Sequence, residues 1–168
     1  MIRVLGIDPG LSGGLGIVQS TEPFRPLELV AVSQIPVAGE GSRKRVDEIY
    51  LFNWIKRYGP SVAAVERVGL FPGQNVAAGG IFMRAVGVLE SVPVLAGCER
   101  EMVETSVWRR YHKIPSRAKG EKDTAFKERS RQKAISIFPE AAEMIADHGI
   151  GEAVLISVYQ IQKIEAGL

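Results

Sequence analysis

Met1-Ile2-Arg3-Val4-Leu5-Gly6-Ile7-Asp8-Pro9-Gly10-Leu11-Ser12-Gly13-Gly14-Leu15-Gly16 is the stretch whose reading decides the fold. Ile2 to Ile7 is a short apolar run rich in branched residues and bounded by a Pro-Gly pair, the pattern of a buried strand. Asp8 stands at its C-terminal end, Pro9-Gly10 forces a turn, and Gly13-Gly14 lets the backbone pass close to whatever Asp8 holds. Leu15 to Gln19 reads as a second strand, so the pair forms a hairpin. A carboxylate fixed on a strand and faced by glycines suits a divalent cation or a phosphate. The alternative is an Asp that only caps the turn.

Working outward, the 168 residues point to one domain, 1–168, long enough to bury a substantial core. A composition of 46% hydrophobic and 24% charged residues excludes a disordered chain. No apolar run reads as long enough to span a bilayer, and the N-terminus lacks a signal-peptide pattern, so no membrane partner is expected. The single cysteine, Cys98, leaves no intrachain disulfide and no cysteine zinc site. A reducing, cytoplasmic location in a bacterial or phage-infected cell is the corresponding expectation. Net charge is +2 but unevenly spread. Residues 109–133 hold ten Lys/Arg and three Asp/Glu, leaving 11 basic and 16 acidic residues elsewhere. An acidic body with one basic segment suggests a polyanion partner, the alternative being a solvated surface helix.

Further along, Leu27 to Ile35 reads as a third strand after the turn at Pro23 and Pro26, and residues 36–45 as a loop. Val46 to Tyr58 reads as a helix stopped by Gly59-Pro60, and Ser61 to Val65 as a buried strand with Glu66 at its end. After the loop Leu70-Phe71-Pro72-Gly73-Gln74, a helix is expected from Asn75 to Glu90, its Gly79, Gly80 and Gly87 allowing close packing. Pro93 to Ala96 reads as a short fifth strand, and Thr105 or Ser106 as the cap of a short helix containing Trp108 and Arg109. Thr124 to Phe138 reads as a basic helix with Lys127, Arg129, Arg131 and Lys133 outward. Ile150 to Ala166 closes the order. Three meandering strands plus two reached by right-handed helical crossovers give an α/β fold, a mixed five-stranded sheet flanked by helices on both faces.

Asp8, Glu66 and the group Asp147, His148 and Glu152 stand at two strand ends and one helix start that can converge. Converging carboxylates repel one another and persist where cations neutralise them. Hard Mg²⁺ or Mn²⁺ prefer such oxygen ligands. Two ions about 3.5–4 Å apart can clamp the oxygens of a phosphodiester displacement. Each acid also has an ordinary reading: Glu66 as the partner of Arg67, Asp147 as a helix N-cap, Glu152 as a first-turn acid favoured by the helix dipole.

The stretches Gly6-Ile7-Asp8-Pro9-Gly10, Ala64-Val65-Glu66 and Asp147-His148-Gly149-Ile150-Gly151-Glu152 resemble the RuvC-like Holliday junction resolvases, most closely their short phage and prophage branch. Val68 to Ala77, Thr105 to Arg110, and Lys127 to Arg131 with Phe138-Pro139 are similar to that branch as well. The resemblance implies a ribonuclease H-like fold, a homodimer, and Mg²⁺-dependent endonuclease action on four-way DNA junctions, with Mn²⁺ as the other candidate ion. Asp8 and Glu66 match the first two metal-binding acids and Glu152 the last. The family's third ligand lies three residues before that last acid, which here is Gly149, so Asp147 and His148 both stand as candidates, with His148 also a candidate general base. For DNA the candidates are Phe71, as a wedge at a branch point, with Gln74, Arg84, Arg109, Arg110, Arg117, Lys119, Lys122, Lys127 and Arg131. The alternatives are a branched-DNA binding protein of the same fold with weak catalysis, a nuclease for flaps, forks or RNA–DNA hybrids, and an actin- or sugar-kinase-like ATPase fragment, which lacks a second Gly-rich phosphate loop.

Overall fold

The computed structural model describes all residues except 23–25, 71, 72 and 74. The turn at Pro23 and the proposed contacts of Phe71 and Gln74 lie outside the described residues.

Strands β1 (Ile2–Asp8) and β2 (Gly14–Ser20) pair antiparallel with Asp8 opposite Gly14, and β3 (Glu28–Gln34) adds to β2. The loop expected over 36–45 contains a small ribbon, β4 (Val37–Ala38) with β5 (Arg45–Val46). Helix α1 (Glu48–Tyr58) starts at Asp47, whose carboxylate accepts the Tyr50 N–H, and ends at Gly59 in the left-handed region, φ 58°. Next come β6 (Val62–Arg67), parallel to β1, α2 (Val76–Leu95), and β7 (Glu99–Glu104), parallel to β6. Three helices complete the chain: α3 (Thr105–Tyr111), α4 (Asp123–Ile137) and α5 (His148–Glu165). The sheet order is β3-β2-β1-β6-β7, the mixed five-stranded sheet expected, with helices on both faces.

Strand alternation sorts the chain into two cores. Leu5, Ile7, Ala63 and Val65 join Leu51, Trp54, Ala85 and Leu89 on the α1/α2 face. Val4 and Ala64 join Trp108, Ala134, Val154 and Leu155 on the α3/α4/α5 face. Gly6 and Asp8 of β1, and Glu66 of β6, share the parity of Val4 and Ala64 and so project toward α5. That helix buries Ile150, Val154, Leu155, Ile156, Val158 and Ile161. Each is worth up to about 1.5–3 kcal/mol.

Several expectations are corrected. Pro93 to Leu95 is not a strand but the end of α2, and the fifth strand is Glu99–Glu104. Being an edge strand with only Val103 buried, β7 has no apolar run to betray it. Glu104 is the N-cap residue of α3 and makes no side-chain capping bond, so neither Thr105 nor Ser106 serves as the cap. Lys127, Arg129, Arg131 and Lys133 are half-buried, because α4 is wedged against α5 and the 113–121 loop. Arg131 donates to the Ile145 carbonyl at 2.8 Å and pairs with Glu128, while Arg129 pairs with Glu121. Helix α2 is, by length and composition alone, apolar enough to cross a membrane, contrary to the sequence expectation. Its Ala85, Val86, Leu89 and Val92 are buried, and Leu89 and Val92 pack in the core against the sheet.

His112 shows how this packing couples to pH. It is 5% exposed, and its Nε2–H donates to the Leu155 carbonyl at 2.8 Å. Burial lowers its pKa to about 4. The unfolded chain, with a pKa near 6.5, takes up that proton first, so stability falls as pH drops below about 6.5 and levels out below about 4. This group's contribution should cost about 2 kcal/mol between pH 7 and pH 5. His112→Gln, which keeps an N–H donor and does not titrate, should flatten that part of the curve in urea unfolding at the two pH values. An equally steep curve in the variant would assign the acid sensitivity elsewhere.

Candidate metal centre

Strand parity and register build the centre. Ile7 is level with Val65 in the parallel β1/β6 pair, so Asp8 and Glu66, one residue further on, stand side by side on neighbouring strands and the same face. Helix α5 crosses that face so closely that Gly6 and Gly14 have no room for a Cβ, which would lie 2.0 Å from the Ala153 carbonyl oxygen and 2.4 Å from the Gly149 carbonyl carbon. The glycine facing the hairpin therefore serves helix packing, where the sequence suggested room for a ligand. The close approach brings Glu152 over the strand ends. Oxygens of Asp8, Glu66 and Glu152 lie within 4.8 Å of one another.

Each carboxylate is held differently. Glu66 accepts the indole N–H of buried Trp108 at 2.9 Å. Burial still raises its pKa, offset in part by that bond and one from Thr105. One oxygen of Glu152 accepts both the Ser130 hydroxyl, at 3.0 Å, and Nη2 of Arg109, at 2.5 Å. Asp8 has its pKa raised well above the usual value, first by burial, then by Glu152 and Glu66, with Lys127 and Arg109 opposing. Three all-oxygen donors converging out of water, one of them resisting ionisation beside its neighbours, fit a small hard divalent cation.

Asp147 and His148 are not brought into this cluster. Helix α5 starts at His148, and Asp147 is its N-cap, accepting the Ile150 N–H at 2.9 Å on one oxygen and the Gln34 side-chain amide at 2.8 Å on the other. His148 lines a separate cleft of about 390 Å³ with Lys127, Glu128 and Arg131.

The basic candidates divide as well. Arg110 and Arg117, with Lys113, line an open cavity of about 610 Å³. Lys119 and Lys122 are exposed near it in sequence, and Arg84 is exposed on α2. Arg109 is largely buried and turned inward: its side chain is 15% exposed and is paired with Glu152. The sequence reading missed Trp108 and Ser130 as partners of the acids and Arg109 as an internal counter-charge. The adjacency of Trp108 and Arg109 was the only local sign of it.

Residues 4–103 match the family model described as crossover junction endodeoxyribonuclease RuvC. Two curated proteins of that description are similar, one from Pseudarthrobacter chlorophenolicus, 41% identical over 71 residues, and one from Streptomyces griseus, 37% identical over 71 residues. The matches cover 40% of this chain and 36% and 34% of those proteins, so the chain spans about a third of their length. Among solved structures, T. thermophilus RuvC in complex with Holliday junction substrate superposes with a TM-score of 0.73 at 16% identity, over 99% of this chain and 97% of that one. Fowlpox virus resolvase in complex with substrate Holliday junction DNA gives 0.53 at 12% identity, over 99% and 98%. Those likenesses speak to the fold, and the family model spans well over half of the sequence. The chain belongs to the crossover junction endodeoxyribonuclease RuvC family.

Proposed function

We propose that this protein is a metal-dependent, structure-selective endodeoxyribonuclease that cuts four-way DNA junctions or closely related branched DNA. The observation that carries the reading is the meeting of Asp8, Glu66 and Glu152 within 4.8 Å, beside a face bearing Arg110, Lys113 and Arg117. Family membership and the junction DNA in both solved relatives support the substrate class.

The three carboxylates would hold Mg²⁺ or Mn²⁺. Such an ion, when bound, lowers the pKa of a water and stabilises charge on a phosphoryl oxygen. The chain's own residues do the rest. Trp108 and Ser130 orient the carboxylates of Glu66 and Glu152 by hydrogen bonds. The cations around the 610 Å³ cavity bind and orient the phosphodiester backbone. Asp147 is committed to capping α5, so Asp8, Glu66 and Glu152 are the carboxylates that would hold the metal. A homodimer fits the need for two symmetric cuts. The exposed apolar side chains of α2, among them Val76, Ile81, Met83, Val94 and Leu95, are the proposed interface.

The decisive experiment incubates the protein with an immobile four-way junction and an equal-length duplex, with Mg²⁺ and with EDTA. Paired nicks in the junction alone, lost in EDTA, support the reading. Binding without cutting selects a junction-binding protein, and equal attack on the duplex a general nuclease. Junction binding in EDTA should also weaken on the order of 10³-fold between roughly 50 and 200 mM salt, since the basic face acts through phosphates. A flat salt dependence in a filter-binding titration would remove that face from the proposal.

A further inference from the structure

Arg109 belongs to two environments at once. Its Nη2 lies 2.5 Å from Glu152 in the acid cluster, and the residue also lines the basic cavity. The guanidinium is held between aromatic rings, its centre 4.9 Å from the Trp108 ring and 4.5 Å from the Phe126 ring. Its other two nitrogens, Nε and Nη1, are buried with no hydrogen-bond partner among the described residues. A guanidinium is built to use that fork on a bidentate oxyanion, and here it is half used. The cavity it borders carries Arg110, Lys113 and Arg117 and no acid. Lys113 is held there in the left-handed region at φ 57°, a conformation that costs a non-glycine residue about 1–2 kcal/mol.

Two competitions follow. A cation bound by Glu152 has to contend with a positive charge already on one of its oxygens. A phosphodiester in the cavity offers Arg109 the two acceptors it lacks. We propose that Arg109 couples nucleic-acid binding to metal loading: it occupies Glu152 in the free protein and turns to a backbone phosphate in the cavity when DNA binds, releasing the carboxylate for the ion. This rests on the metal-site reading above. By linkage, DNA then raises ion affinity and the ion raises DNA affinity by the same factor. Arg109 is thus a positioning residue for Glu152, and its effect is visible without any cleavage.

The test measures Ca²⁺ binding to the full chain by calorimetry, alone and with saturating four-way junction, for the wild type, Arg109→Gln and Phe126→Leu. Without DNA, Arg109→Gln should bind the ion about tenfold tighter than the wild type, a direction opposite to that expected from structural damage. The factor by which DNA enhances ion binding should shrink correspondingly. Phe126→Leu, which keeps every charged group but removes one of the rings that hold Arg109, should shift both quantities the same way by a smaller amount, and it serves if Arg109→Gln does not fold. Ion binding in Arg109→Gln that is unchanged or weaker, or an undiminished DNA effect, overturns the coupling and leaves the metal site standing. Absence of ion binding in every protein overturns the metal site and the coupling together.

Discussion

Asp8→Asn should reduce junction cleavage by on the order of 10³-fold while making the metal-free protein more stable. Asp8 ends the central strand and has its carboxylate within 4.8 Å of those of Glu66 and Glu152. Burial and the nearby Glu152 and Glu66 charges raise its pKa, which means that the folded state tolerates its charge poorly. Asparagine keeps the shape and removes the charge. In EDTA the variant should melt a few degrees higher at pH 7–8. A carboxyl whose pKa is raised by folding destabilises the native state above that pKa, and the penalty disappears as pH falls through it toward the unfolded value. The two melting curves should therefore converge on acidification. With Mg²⁺ present the wild type should gain stability and the variant far less. Calorimetric melts at several pH values, paired with a junction-cutting assay, check both halves. Undiminished cleavage would move the reacting centre elsewhere, and a lower melting temperature in EDTA would mean that Asp8 stabilises the fold.

The second large effect is structural. Gly6→Ala should cost about 3 kcal/mol or more. The added methyl would lie 2.0 Å from the Ala153 carbonyl oxygen and 2.6 Å from Ser157 Oγ. The first of these is backbone and cannot rotate away, so α5 must lift from the sheet. Glu152 is the residue before Ala153, so ion binding should fail along with stability. Gly87→Ala is the matched control: it sits inside α2, where an added methyl would meet nothing within 4 Å, so it should gain about 0.5–1 kcal/mol. Urea titrations of the two variants should move in opposite directions. A neutral Gly6→Ala would mean that the helix has slack the packing does not show.

What the sequence disclosed depended on how local the signal was. Ile2 to Ile7 lies in the middle of the sheet and is wrapped on both faces, so its apolar run announced it, as Val-Ala-Ala-Val did for β6. Asp8 and Glu66 were legible because a carboxylate ending such a run is conspicuous. Edge strand β7 left no such mark, with Glu-Arg-Glu at 99–101 and one buried residue. Pro93 read as a breaker, yet it sits in the last turn of α2, where the lost N–H concerns a single bond. The proximity of Arg109 to Glu152, 43 residues away, could not be read from spacing at all. A net charge of +7 over 109–133 pointed outward to phosphates, whereas packing turned one of its arginines inward onto an acid.

The crossing of α5 over β1 also sets an order of events. Asp8 is made early and Glu152 after 143 intervening residues, and the core beneath α3 and α4 is closed by side chains of α5 itself. A nascent chain that has emerged only through β7 can pair all five strands of the sheet, yet it has two of the three acids. Native contacts of such long sequence separation form late. The three-carboxylate cluster therefore assembles only when α5 docks, and partly synthesised chains hold two of its acids without the third.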